Sequence, residues 1–247
     1  MKQNHYLDGN LYHMVHVANL ESIFWRCALL SKEQVQQKDI PYHSIAYDEV
    51  QKLRDRVFIQ NQEENRFRPL HSYVPFYFTT ITPMLYVQRL RGIQHEIVFF
   101  EVSRSILSDK GVVFTDGNAT NQQLSNMGEE KVYITPATSL RDPCHRGYNP
   151  PGGPYGTNTN RSDFYCDIAC LERLKWDIIN DRWFNDDEKK RIKHAEALIP
   201  DILSTQKIQS IAVNNQRLLR DVNILIDECG LKGQIPYATF KPQIFFQ

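Results

Sequence analysis

At 247 residues the chain is long enough to bury one substantial core, and its 41% hydrophobic and 23% charged residues are those of an ordinary soluble globular protein. Lysine plus arginine (29) balances aspartate plus glutamate (29), which excludes a protein-wide basic field, so any nucleic-acid partner has to be held by a local patch. No apolar run reaches the length of a membrane span and Met1–Leu7 lacks the apolar segment of a secretion signal, so the expected setting is cytoplasmic, with no membrane partner.

The five cysteines, Cys27, Cys144, Cys166, Cys170 and Cys229, are odd in number and include no C-x-x-C pair, which argues against a disulfide framework and a zinc ribbon. Cys166 and Cys170 lie four apart with His145 upstream. They read as two buried thiols on one helix face rather than as ligands, and no metal is expected.

In chain order, Leu11–His16 alternates as a short strand carrying His13 and His16, and a helix with Leu20, Ile23 and Phe24 on one face follows, with Asn19 as its expected N-cap. Each histidine, taken alone, reads as a hydrogen-bonded scaffold residue. Residues 31–72 are polar. Tyr47–Val57 suggests a helical turn or two with Arg54 and Arg56 exposed, and Asn61–Arg68 reads as a mobile loop. Tyr73–Phe78 is a dense aromatic strand, and its Pro75 predicts an edge position. Aromatics so close together fill a core or form a stacking wall for a flat ligand.

Thr82 and Pro83 have the cap-then-proline start of a helix that Gly92 should stop. Strands are expected over Glu96–Val102 and Gly111–Thr115, the latter leading into a turn at Asp116–Ala119. From Asn118 to Arg161 apolar residues have no regular spacing, and Asn149–Asn160 is loop by composition, a length that is usually functional or disordered. An amphipathic helix is expected over Phe164–Leu174, a further turn around Trp176 and Trp183, a strand over Ile208–Val213, a helix from Asn215 to Cys229, and a last strand over Ala238–Phe246. Helices and strands mix without regular alternation, which predicts an α+β fold with mainly antiparallel pairing, with residues 1–247 forming a single domain.

The stretch Glu188–Pro200 stands out. A solvated basic run of Lys189, Lys190, Arg191 and Lys193 leads into a buried strand that Glu196 enters among small and apolar neighbours. A carboxylate placed there is either paired or used. Read alone, it is a strand-end glutamate in contact with a nearby lysine.

Four pieces, in this order, resemble the DarT family of toxin–antitoxin DNA ADP-ribosyltransferases: Tyr12–Leu20; Tyr73–Phe78 followed by Met84–Tyr86; Phe114–Asn118; and the run from Phe164 and Tyr165 through Trp176 and Asp177 to Lys193–Glu196. The resemblance implies an ADP-ribosyltransferase-like fold, two antiparallel sheets split around an NAD-binding cleft with peripheral helices. It also implies a phage-defence toxin that moves ADP-ribose from NAD onto a base of single-stranded DNA and is neutralised by a macrodomain antitoxin. By position it implies catalytic roles for Glu196 and for Arg54, near the reacting ribose. His13 would hold the adenine-side ribose, Tyr77 would stand beside the nicotinamide, and Asn19 and Tyr86 would complete the cofactor site. Two departures accompany it. Val15 stands where the family commonly has threonine, and the loop from Pro143 to Ser162 is longer than usual.

The chemistry explains why such residues would be needed. Breaking the nicotinamide–ribose bond makes the sugar cationic, as in glycoside cleavage, and a fixed carboxylate stabilises that charge as it develops. A base acceptor must be unstacked, which favours a single strand. Tyr148 or Tyr155 could stack on it, and Arg54, Arg56, Arg66, Arg68, Arg89 and Arg91 offer cations for a phosphate track. RNA as acceptor, or water in an NAD glycohydrolase, would need the same carboxylate and cleft.

Overall fold

A computed structural model describes residues 5–121, 130–148 and 161–247, and among them no helix is long and apolar enough to cross a membrane. The chain opens with β1 (Asn10–His16), α1 (Leu20–Trp25), β2 (Ala28–Leu30), α2 (Lys32–Gln37) and α3 (Asp48–Arg54). There follow β3 (Val57–Asn61), β4 (Arg66–Pro69), β5 (Tyr73–Tyr77), α4 (Pro83–Leu90), β6 (Ile97–Ser103), β7 (Val113–Thr115), β8 (Val132–Thr135) and β9 (His145–Tyr148). The remainder holds β10 (Phe164–Tyr165), α5 (Trp176–Asn180), α6 (Asp187–Ile192), β11 (Glu196–Pro200), β12 (Ile202–Ser204), β13 (Ile208–Val213), α7 (Gln216–Glu228) and β14 (Ala238–Phe240).

Strong local signals give the expected elements. The Thr82 hydroxyl accepts the Leu85 N–H at 3.1 Å to start α4, and Gly92, at φ 75°, follows its end. The Asn215 side chain caps α7 by accepting the Leu218 N–H at 2.8 Å. Tertiary pairing overrides weaker signals. Asn19 does not cap α1: its backbone is already helical, and its amide instead exchanges hydrogen bonds of 2.7 and 2.9 Å with the backbone of His43. Asn61–Arg68 is a loop only over 62–65, the turn of the β3–β4 hairpin; Asn61 and Arg66–Arg68 are paired strand, and the Asn61 side chain accepts the Glu63 and Glu64 N–H groups across the turn. Phe164–Leu174 is not one helix. Phe164 and Tyr165 pair with Thr115 and Phe114 as β10, and only Ile168–Arg173 forms a 3-10 turn. The last strand ends at Phe240, before a 3-10 turn beginning at Pro242. The strands β8 and β9 were not foreseen. The expected loop at 149–160 with Tyr155, and the side chain of Tyr148, lie outside the described residues.

Among the described residues, eight strands join in the order β10-β7-β11-β5-β1-β6-β13-β14, with a four-stranded sheet β4-β3-β8-β9 and a short β12-β2 pair beside them. Pairing is antiparallel except at β13–β14 and β3–β8. The large sheet is two halves with one join. β5 pairs with β11 from Tyr77↔Glu196 to Tyr73↔Pro200, and β1 pairs with β6 from Asn10↔Ser103 to His16↔Ile97, but β1 and β5 meet only at Tyr12↔Tyr77. Beyond that pair they splay, which is the split around a cleft that the family resemblance implies.

The splay also explains Pro75, which sits in an interior strand rather than at an edge. Its carbonyl oxygen faces β1, where it accepts from the His13 ring, and N and O of a strand residue point to the same side. The missing N–H therefore faces the opening, where no ladder bond is lost. Along β5 the alternation is complete: Val74, Phe76 and the following Phe78 enter the main core, while Tyr73, Pro75 and Tyr77 face the opening. On β11, Ala197 and Ile199 join the same core, which leaves Glu196 on the opposite side.

Replacing Thr82 with alanine removes the cap of the helix that walls the opening. The expected result is a loss of about 1 kcal/mol, read as a lower urea midpoint, with Thr82→Ser close to the parent.

Candidate active site

Where β1 and β5 part, a cavity of about 340 Å³ opens, lined by His13, Arg54, Tyr77, Met84, His194 and Glu196 among others. A second cavity of about 240 Å³ adjoins it and shares His13, Met14, Lys32, Ile45, Ala46, Gln51 and Pro75, while Asn19, Tyr42 and His43 belong to the second alone. Two chambers meeting at His13 suit an elongated ligand with two heads.

Glu196 is 2% exposed. Arg54, at the end of α3, donates through Nη1 to Oε1 at 3.1 Å and Oε2 at 3.3 Å, and the backbone N–H of Ala119 also reaches Oε1 at 3.3 Å. Arg54 is thus not an exposed, solvated arginine. The Glu196 N–H donates at 3.1 Å to the Thr115 hydroxyl, which itself donates at 2.6 Å to the carbonyl of Gly117. Carboxylate and turn are tied together at both ends.

The turn is held from behind by one member of the basic run, Arg191, while Lys190 stays exposed beside Asp187. Arg191 donates to Asp116 and Ser162 at 3.2 Å and to Glu188 at 2.8 Å. It presses on Gly117, where a side chain would collide with its guanidinium and with the Ser162 hydroxyl, so the close approach requires glycine. Lys193 is fully buried, its ammonium donating to the carbonyls of Ile179 and Asp181, and burial pushes its pKa down to about 8.

His13 places Nδ1 2.8 Å from the carbonyl of Pro75, which can only accept, so Nδ1 bears the hydrogen and Nε2 is left as an acceptor. Burial lowers its pKa against the pull of that hydrogen bond, which keeps the ring neutral. His16 is scaffold: Nδ1 accepts from Ala18, Nε2 lies 2.7 Å from Glu96, and its ring stacks on His43. Burial, then the Glu196 carboxylate, pushes the Tyr77 phenol far above its usual value, so it stays protonated. His71, on the same wall, is pushed down to about 4 by burial and by the cations Arg54 and Lys32, in spite of Asp55 at 3.0 Å.

Of the residues singled out in the sequence, Glu196, Arg54, His13 and Tyr77 converge on the first cavity, and Asn19 borders the second. Tyr86 does not join them. It is 39% exposed and packs edge-on against Phe184 and Phe246, because its neighbours Met84 and Val87 occupy the inner face of α4. Val15 is buried in the core and borders the second chamber. The arginines do not form one track: Arg68 is bound to Asp201, Arg66 to Glu64, Arg56 to the carbonyl of Glu130, and Arg91 lies over the ring of Tyr47. Asn118, His194 and Lys32 line the cavity without having been foreseen, since nothing in local spacing marks a residue delivered by a turn, as the first two are, or by the first position of a short helix, as Lys32 is. Among the described residues no group of three or more His, Cys, Asp or Glu could hold a metal ion, and Cys166 Sγ contacts the carbonyl of Ala137.

The fold is similar to that of solved DarT proteins. The Thermus sp. 2.9 DarT in complex with ADP-ribosylated ssDNA superposes with a TM-score of 0.72 at 22% identity, covering 96% of each chain, and the same protein in complex with NAD+ gives 0.70 at 21%. Thermosipho africanus DarTG in complex with ADP-ribose gives 0.63 at 20%, with the present chain spanning about half (51%) of that chain. In sequence, a DNA ADP-ribosyl transferase from Thermus sp. (strain 2.9) is 25% identical over 230 residues, 90% of this chain and 89% of the relative. With a family model described as ssDNA thymidine ADP-ribosyltransferase, DarT, matching residues 12–136 and 156–246, the chain belongs to the DarT family.

Proposed function

We propose that residues 1–247 act as a single transferase domain that binds NAD+ as co-substrate across the two chambers and moves its ADP-ribose onto thymidine of single-stranded DNA. The observation that carries this reading is the Glu196 carboxylate, 2% exposed, gripped by Arg54 and by the Ala119 N–H in the cavity that also holds His13 and Tyr77.

In this reading the bond between nicotinamide and the ribose C1′ breaks with its electron pair, so nicotinamide leaves neutral and the sugar becomes cationic. Glu196, fixed in advance by Arg54 and the backbone, stabilises that charge without reorganising as it forms. The bonds to Glu196 use only Nη1 of Arg54, so the rest of the guanidinium remains to meet a diphosphate oxygen. Neutral His13 offers Nε2 to a ribose hydroxyl at the junction of the chambers. The Tyr77 ring walls the nicotinamide end, and Asn19 shapes the second chamber by pinning His43. Those chambers fit a dinucleotide, apolar walls alternating with a few directed polar groups.

The proposal extends to biological setting: a cytoplasmic toxin whose mark a macrodomain antitoxin removes. What supports this part is the likeness to Thermosipho africanus DarTG, a longer chain bound to ADP-ribose.

Incubation with NAD+ labelled on its adenylate side, together with thymidine-containing DNA and matching RNA oligonucleotides, tests the reading. Label on the DNA is expected; label found only as free ADP-ribose would make water the acceptor. Glu196→Gln should lower transfer about a hundredfold or more while the protein still unfolds cooperatively, whereas transfer equal to the parent removes Glu196 from the mechanism. His13→Ala should chiefly raise the NAD+ concentration required, with the acceptor preference unchanged; the reverse pattern contradicts a ribose contact.

A further inference from the structure

The reading above leaves one proton without a destination. Of the two ring nitrogens of thymine, N1 is bonded to deoxyribose, and N3 carries a hydrogen and a lone pair delocalised into two flanking carbonyls. N3 becomes a nucleophile only as that hydrogen is removed, which calls for a base within reach. Glu196 is poorly placed for the task, because both of its oxygens accept from Arg54 and one also from Ala119.

His194, two residues before it, is not so engaged. Its Nδ1 lies 2.9 Å from the carbonyl oxygen of Lys190, on α6, which can only accept. Nδ1 therefore carries the hydrogen, and Nε2 keeps its lone pair. The ring lines the same cavity as Glu196 and stands 6.2 Å from the ring of Tyr77. We propose that His194 is the general base of the transfer step: its Nε2 takes the thymine N3 proton as the N3 electron pair bonds to the ribose C1′, and the imidazolium then returns that proton to solvent. The inference rests on the proposed thymidine reaction and adds the residue that activates the acceptor.

Burial holds the His194 ring below its ordinary value of 6.5, against the opposing pulls of the Lys190 carbonyl and Glu196, so it is an unprotonated base at neutral pH. The titratable and charged groups that line the cavity with it are Glu196 on β11, Tyr77 and Tyr73 on β5, Arg54 on α3 with Tyr47 just before it, His13 on β1, Lys32 on α2 and His71. Tyr77 stays protonated, so Glu196 is the anion facing the ring and Arg54 the cation opposing it.

The test measures transfer of labelled ADP-ribose to a thymidine oligonucleotide by the parent, His194→Ala and His194→Gln, the last keeping an amide donor for Lys190 without a basic nitrogen. Both variants should transfer about a hundredfold more slowly or worse. Added imidazole should restore His194→Ala, and raising the pH should narrow the gap for both as the acceptor loses its own proton. In the parent the rate should rise with pH through a value below 6.5 and level off, a limb absent from the variants. Variants within a few-fold of the parent, or a loss that neither imidazole nor higher pH relieves, overturn the assignment. If the parent itself labels no base, the proposed function falls first and this inference with it, whereas a parent that transfers beside unrescued variants sinks the inference alone.

Discussion

The ion pair between Arg54 and Glu196 is the interaction on which the site depends. It joins segments 142 residues apart, at 3.1 Å, with both side chains largely out of water. Such a pair is a weak source of stability, because desolvating two charges offsets most of their attraction, and deleting one partner leaves the other buried and unmatched. Its value here is orientation. Glu196 pairs in register with Tyr77, the residue at which the two halves of the sheet are still joined, so the carboxylate stands at the vertex of the opening.

Several features are consequences of keeping that carboxylate still. The β7 end carries Thr115, whose hydroxyl bonds the Glu196 backbone, and the turn after it supplies the Ala119 N–H to the side chain. Arg191 clamps this turn from α6 through Asp116 and Ser162, and Gly117 lets the guanidinium come close. Lys193 anchors the other approach by donating to carbonyls at the end of α5, a role possible only because its ammonium is buried beside acceptors. Arg191 and Lys193, two cations of a run that looks like a solvated surface in the sequence, are therefore the rigid backing of one acidic group.

Histidines line the same space in neutral form, for a common reason. His13 and His194 each give the Nδ1 hydrogen to a backbone carbonyl and are held neutral by burial, which leaves an Nε2 lone pair for the cavity. Main-chain carbonyls thus select the tautomer, and the opening between β1 and β5 accommodates the proline of β5, whose missing N–H faces that side.

What the sequence settled by itself was local or ordered along the chain. The capped start of α4, the aromatic strand at Tyr73–Phe78 and the buried strand beginning at Glu196 follow from nearest-neighbour chemistry. The ordered set of four pieces carried the family, and with it the prominence of His13, Tyr77, Arg54 and Glu196. Tertiary structure decided the rest. It put Arg54 in the cleft instead of in solvent, turned Tyr86 toward Phe184 and Phe246, changed Asn19 from a cap into a loop anchor, and brought His194 and Asn118 to the cavity. Helix and strand signals repeat over two to four residues, whereas a side chain's partner is chosen by which segments the sheet brings together, across separations that no local pattern records.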